Sequence, residues 1–216
     1  MSHGPLQPPV AVALGANLGD PLATLPVVRP LLAELLRQWW REPQEPAGSE
    51  LRLRWSPLFR TAPVGGPANQ PPYLNAVVVA DGGPARAPAD PPPLQRNPQA
   101  GQRQAAAAAD LLERLLALER RFGRVRAERW GPRSLDLDLL WCGAAPVEQL
   151  GLCLPHPRLR ERAFVLAPLV AIDPRLIVPG DGVRLAAPAA ALLAVLPPQA
   201  LLPPPERLTG REGWPE

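Results

Sequence analysis

Residues 134–141, SLDLDLLW, constrain the fold more than any other stretch. Leu135, Leu137, Leu139 and Trp141 alternate there with Ser134, Asp136 and Asp138. A period of two places the first set on one face of a β-strand and the second on the other. Residues 10–14 form a short apolar run that ends at the glycine turn GANLGD, and a leucine-rich segment reading as helix comes next. Asp20 before Pro21 suits an N-cap and a first helical position, although Pro26 and Pro30 are expected to distort the helix beyond them. Residues 41–50 read as polar linker. Residues 51–59 and 73–80 read as second and third strands, and AAAAADLLERLLALERRFG as an amphipathic helix stopped by Gly123. The order βαββαβ predicts an α+β fold with a ferredoxin-like core, an antiparallel or mixed sheet carrying helices mainly on one face.

The length of 216 residues suits one domain. Its 33 prolines and 17 glycines approach the level of disordered chains, yet 46% of the residues are hydrophobic, so order and disorder are expected to be segregated. Residues 81–104 are the expected disordered insertion, with six prolines in DGGPARAPADPPPLQRNPQAGQR, and the tail from about 185 is expected to be loosely ordered. All 23 basic residues are arginine. Without lysine, a Walker A phosphate lysine, a lysine Schiff base and a lysine general base are excluded. A net charge of +3 offers no global argument for nucleic acid or membrane. Cys142 and Cys153 form neither a disulfide framework nor a metal motif, the amino terminus lacks signal-peptide character, and prolines interrupt the uncharged stretch 185–205. These features predict a soluble cytoplasmic protein, expected to act as a monomer.

Asp136 and Asp138, on one face and roughly 7 Å apart, could serve as a magnesium platform or simply as a solvent-facing strand surface. Seven arginines lie within residues 114–133, and Arg124, Arg126, Arg129 and Arg133 fall in the loop before the acidic strand. Guanidinium forks beside carboxylates suit a magnesium polyphosphate, although a solvated loop paired to Glu119 and Glu128 also accounts for them. Trp130 could stack on a planar ligand or bury a hinge. Tyr73 and Asn75 share a strand face that could offer stacking and amide hydrogen bonds to a heterocycle, or be an ordinary edge. His156 lies between prolines ahead of Arg162 and Phe164, and the glycines of GANLGD fit either a phosphate cradle or a tight turn.

Four blocks in this order, VALGANLGD at 12–20, RTAPVGGPANQPPYLNAVV at 60–78, GRVRAERWGPRSLDLDLLWCG at 123–143 and LPHPRLRERAFVLAPL at 154–169, resemble the 6-hydroxymethyl-7,8-dihydropterin pyrophosphokinases. The resemblance spans residues 10 to about 180. It implies pyrophosphate transfer from ATP to the pterin in folate biosynthesis, with two magnesium ions held by Asp136 and Asp138. Arg124 and Arg133 would stabilise the transferring group. Glu119, Arg126, Arg129, Leu139, His156 and Arg162 would line the ATP site, together with Arg124 and Arg133. Tyr73 and Phe164 would stack on the pterin, Asn75, Thr61, Ala62 and Val64 would read its edge, and Trp130 would close over both substrates. The chain departs from the family at Pro157, Leu116 and Ala62; the first two bear on nucleotide contacts.

Three other readings compete. An RNA-binding βαββαβ domain lacks its sheet-surface aromatic signature here, and paired aspartates repel an RNA backbone. A polyproline ligand on a scaffold rests on the PPPL segment alone. A pseudoenzyme is at odds with an intact D-x-D and arginine set.

Overall fold

A computed structural model describes residues 9–41, 51–82, 98–124, 131–149, 151–210 and 212–215. The elements run β1 (Val10–Ala16), α1 (Pro21–Arg41), β2 (Leu51–Trp55), β3 (Leu58–Thr61), β4 (Tyr73–Gly82), α2 (Pro98–Arg121), β5 (Asp136–Cys142), β6 (Val147–Gln149) and β7 (Leu152–Leu154). They continue through α3 (Ala163–Ile172), β8 (Ile177–Val178), β9 (Ala187–Pro188), α4 (Ala189–Ala194) and β10 (Glu206–Leu208). The main sheet has the order β10-β3-β4-β1-β5, with β2 also paired to β4, and every pairing in it is antiparallel. The fold is therefore α+β with an antiparallel sheet.

Strand alternation divides the core in two. Val10, Val12 and Leu14 of β1, Leu74, Ala76 and Val78 of β4, and Leu137 and Leu139 of β5 pack beneath α1 and α2. The helices meet them with stripes at helical spacing, Leu25, Val28, Leu32 and Leu36 on α1 and Ala108, Leu111 and Leu115 on α2, all fully buried. Each such leucine contributes about 1.5–3 kcal/mol through burial. Asp20 Oδ1 accepts the Ala23 N–H at 3.1 Å and caps α1, which runs on through Pro26 and Pro30. Gly123, at φ +73°, ends the α2 turn with its N–H on the Arg120 carbonyl.

On the opposite face, Ala11, Val77, Val79, Leu140 and Trp141 pack with Val165, Leu166 and Leu169 of α3 and with Ala189 of α4. This corrects the expectation of helices mainly on one face: α3 and α4 pack on the second face as well. It also corrects the strand reading. A register shift opposite Ala11 and Val12 leaves Leu140 as the extra residue of a β-bulge, so Trp141 lies with α3 and not with Leu137 and Leu139. The cleft lies on this face, at the Asp136 end.

Three further boundaries differ from expectation. Ser56 and Pro57 split the second strand in two; Ser56 is fully buried, its N–H on the Val77 carbonyl and its Oγ accepting the Val77 N–H. The expected insertion is shortened at both ends, since β4 runs to Gly82 and α2 begins at Pro98; residues 83–97 lie outside the described residues. The tail expected to be loose carries α4 and the edge strand β10. Its Trp214 is 6% exposed, donates from Nε1 to the Ser56 carbonyl at 2.8 Å and meets the Trp55 ring edge-on at 5.7 Å.

Candidate active site

The open end of the sheet is built by register. Gly15 of β1 pairs with Asn75 on one side and Asp136 on the other, and two residues earlier Ala13 pairs with Val77 and Asp138. Residues in register point to one face, so Asn75 and Asp136 stand in one row across three strands, with Asp138 on the same face two residues along β5. Gly15 leaves the middle of that row bare: a β-carbon there would lie 2.8 Å from Asn75 Oδ1 and 3.9 Å from the Asp136 β-carbon. Thr61 from the end of β3, Ala62 and Val64 from the adjoining loop, Tyr73 and Asn75 from β4, and Phe164 from α3 form one wall of a cleft. Arg133, Asp136, Asp138, Arg158 and Arg162 form the other.

Asn75 Nδ2 donates to Thr61 Oγ1 at 2.6 Å, and both side chains are buried. Tyr73 OH donates to the Gly131 carbonyl at 3.2 Å, and burial raises its pKa. The Arg162 guanidinium lies 5.4 Å from the centre of the Phe164 ring, a cation–π distance. An edge of hydrogen-bonding groups between two aromatic side chains suits a flat, polar heterocycle.

Charge is concentrated on the other wall. Arg133 Nη1 contacts Asp136 Oδ2, Arg124 Nη1 lies 2.7 Å from Asp136 Oδ1, and Arg162 Nη1 donates to Asp138 Oδ2 at 3.0 Å. Burial raises the Asp136 pKa and the Asp138 charge raises it further, while Arg133 and Arg124 pull it down. Glu119, 1% exposed on α2, accepts the Leu137 N–H at 2.7 Å and also contacts Arg124 Nη1. It ties helix, acidic strand and arginine together; burial raises its pKa against the Leu137 N–H and Arg124. His156 is docked by its N–H on the Leu140 carbonyl at 2.7 Å. Its Nδ1 accepts the Arg158 N–H at 3.1 Å, so in the neutral ring Nε2 carries the proton and points toward Asp138 Oδ2 at 4.0 Å. Burial lowers its pKa, and Asp138 opposes that shift.

A divalent cation suits these residues. Asp136 Oδ1 is buried and is held by the Arg124 ion pair alone, without a hydrogen bond, which leaves a hard oxygen donor that a cation can take over. Among the described residues no cluster of three or more histidines, cysteines, aspartates or glutamates could hold a metal. Two carboxylates with water and phosphate oxygens form the ligand set magnesium prefers.

The structure thus brings together Thr61, Ala62, Val64, Tyr73, Asn75, Arg133, Asp136, Asp138, Arg162 and Phe164 in one cleft, with Arg124, Glu119 and His156 joined to it by direct contacts. Leu139 stands apart: at 4% exposure its side chain lies in the core beneath α1 and α2, because it alternates with Asp138 along β5. Arg126, Arg129 and Trp130 lie outside the described residues. Sequence reasoning missed Arg158, in the same loop as His156, and Gly15 and Asn17. Gly15 carried a signal only as part of a phosphate cradle or a tight turn and Asn17 carried none, since their partners are distant in sequence.

The fold and the cleft are those of a small-molecule-binding protein, with one wall suited to a flat heterocycle and the other, of arginines and paired carboxylates, suited to a metal polyphosphate. Residues 86–174 match the family model for 7,8-dihydro-6-hydroxymethylpterin-pyrophosphokinase (HPPK). The chain is 37% identical over 171 residues to a 2-amino-4-hydroxy-6-hydroxymethyldihydropteridine pyrophosphokinase of Synechocystis sp., covering 79% of this chain and 69% of that protein. A Pseudomonas aeruginosa protein of the same name is 37% identical over 202 residues, covering 93% and 97%. One from Mycobacterium bovis is 36% identical over 174 residues, covering 76% and 72%. The chain belongs to the 6-hydroxymethyl-7,8-dihydropterin pyrophosphokinase family.

Proposed function

We propose that this chain transfers pyrophosphate from ATP to the hydroxymethyl group of 6-hydroxymethyl-7,8-dihydropterin, releasing AMP and forming the pterin diphosphate used in folate biosynthesis. The observation that carries this reading is the register across Gly15, which puts Asn75 and Asp136 on either side of a bare glycine, so that an amide suited to a heterocycle and a carboxylate suited to a metal polyphosphate flank one cleft. Two adjacent subsites of opposite chemistry suit a reaction between a flat alcohol and a nucleotide.

The hydroxymethyl oxygen forms a bond to the β-phosphorus of ATP, the bond from that phosphorus to the α,β-bridging oxygen breaks, AMP leaves, and the hydroxyl proton passes to solvent. Phosphoryl chemistry of this kind needs alignment and charge stabilisation more than covalent help. Tyr73 and Phe164 hold the pterin ring, while Asn75, Thr61 and the backbone of Ala62 and Val64 fix its edge. Arg124 and Arg133, now on Asp136, and Arg162, now on Asp138, turn to phosphate oxygens when the nucleotide enters. His156 presents its Nε2 proton beside them. We assign Arg126, Arg129 and Trp130 to nucleotide binding and closure over both substrates, and Leu139 to nucleotide contact through its backbone. Two magnesium ions, held by Asp136 and Asp138, would neutralise charge on the phosphates.

The order β5-β1-β4-β3, antiparallel with α1 and α2 on one face, supports a ferredoxin-like core within a single domain. That core also occurs in RNA-binding modules, but α3 and α4 cover the sheet face such modules use, which supports a small-molecule role without nucleic acid. One chain supplies every group named, so we propose a monomer. Two free thiols, one of them exposed, support a cytoplasmic location, and no described helix is long and apolar enough to cross a membrane.

The test is pterin-dependent AMP release from ATP with magnesium. The wild type is expected to release AMP only with both substrates present. Asp136→Ala and Asp138→Ala, folded by circular dichroism, are expected to lose about a hundredfold to a thousandfold in kcat, the scale of removing a preorganised electrostatic group. No AMP from the wild type, or undiminished AMP from either variant, overturns the reading.

A further inference from the structure

The turn between β1 and α1 carries Asn17, a polar side chain only 3% exposed to which the proposed reaction gives no role. Its Oδ1 accepts the Arg133 N–H at 2.7 Å, and its Nδ2 donates to the Pro71 carbonyl at 3.0 Å and approaches Gln70 Oε1 at 3.5 Å. The backbone N–H groups of Asn17 and Leu18 both donate to the Arg133 carbonyl, at 2.9 and 3.0 Å. Arg133 is thus gripped at both of its peptide groups, which set where its guanidinium leaves the chain. On the other side, Pro71 closes the loop 62–72 that walls the heterocycle side of the cleft. Gln70 Nε2 donates to the Gly65 and Pro67 carbonyls at 3.2 and 3.3 Å and carries the tie forward to that wall.

A buried, satisfied asparagine is usually an element of the fold alone. Here its two strong bonds reach different parts of one cleft, 116 and 54 residues away in sequence. An amide is suited to both tasks: it accepts through Oδ1 and donates through Nδ2, whereas a carboxylate only accepts and an aliphatic chain does neither. We infer that Asn17 is a positioning residue that holds the heterocycle wall and the pyrophosphate-stabilising arginine at a fixed spacing. Its kinetic role rests on the pyrophosphokinase reading; the tie itself is measurable without any activity.

The test compares Asn17→Asp with Asn17→Ala in the full chain. Aspartate keeps an acceptor for the Arg133 N–H and loses the donor to Pro71. We expect the Arg133 amide to exchange within about threefold of wild type by NMR, and the 15N NOE of Val64, Gly65 and Gly66 to fall. KM for the pterin should rise about tenfold with kcat within about threefold. Alanine loses both bonds. Arg133 exchange should then quicken at least about tenfold, the factor expected for one net hydrogen bond, and kcat should fall about tenfold in addition. Wild-type exchange, NOE and kinetics in both variants overturn the inference, as does an identical response of the two, which marks general loosening. Should the wild type release no AMP while the NMR pattern appears as described, the functional reading falls and the tie stands.

Discussion

A β-carbon at position 15 would collide with an amide that is already held: Asn75 Oδ1 would be 2.8 Å away, and Asn75 Nδ2 is fixed on Thr61 at 2.6 Å. Gly15→Ala is therefore expected to turn the Asn75 amide and raise KM for the pterin about tenfold, leaving KM for ATP within about twofold, as steady-state AMP release will show. His156 governs a pH dependence. Burial lowers its pKa, so the folded chain prefers the neutral ring, and as pH falls below the ordinary histidine value of about 6.5 the unfolded chain takes the proton first. Stability conferred by the neutral ring is complete above that value and is lost as pH drops through the folded pKa. Thermal melts from pH 7.5 to pH 5 are expected to show a shallower loss in His156→Gln than in wild type; equal slopes reject the assignment. At this scale the sequence was informative where chemistry is local. The D-x-D pair, the arginines and Tyr73 with Asn75 could be read from residue type and a period of two. Gly15 and Asn17 could not, because what they do depends on partners brought to them by the sheet.

Among the elements, β5 shows the limit of a periodic reading. Its leucine and aspartate faces came from alternation, but the bulge at Leu140 reverses the phase for Trp141, and the cause lies in its pairing with β1. α2 shows the same limit at its start. Proline-rich composition placed residues up to 104 in a disordered insertion, yet Gln104 Nε2 donates to the Cys142 carbonyl at 2.6 Å and the Ala145 carbonyl at 2.7 Å. Those bonds anchor the first turns of the helix to the end of β5. Gln104→Ala leaves two carbonyls without that donor and is expected to cost about 1–3 kcal/mol in urea denaturation, with kcat per folded molecule unchanged. A variant as stable as wild type would show that these bonds do not anchor the helix start.

For the whole molecule, the closing segment behaves as part of the core. Leu208 of β10 is buried against the α1 side of the sheet, and Arg29 of α1 donates to the Gly213 carbonyl at 3.0 Å while its guanidinium stands over the Trp55 ring. Trp214→Ala removes a large ring and the Ser56 bond together and is expected to lower stability by about 3–5 kcal/mol, read from the urea midpoint. Low hydropathic periodicity and many prolines hid this order, since each contact joins the tail to residues far back in the chain. The arginine–aspartate pairs of the cleft carry a different consequence. With Asp136 taken by Arg124 and Arg133, and Asp138 by Arg162, the resting site is largely neutralised from within. A bare anion such as inorganic phosphate can win those arginines only by stranding the carboxylates, and a bare cation can win the carboxylates only by stranding the arginines. A ligand that brings both signs at once, as a metal–nucleotide complex does, satisfies every partner in one exchange. On the proposed pyrophosphokinase reading, the resting ion pairs would act as a filter that favours a ligand of both signs over either sign alone.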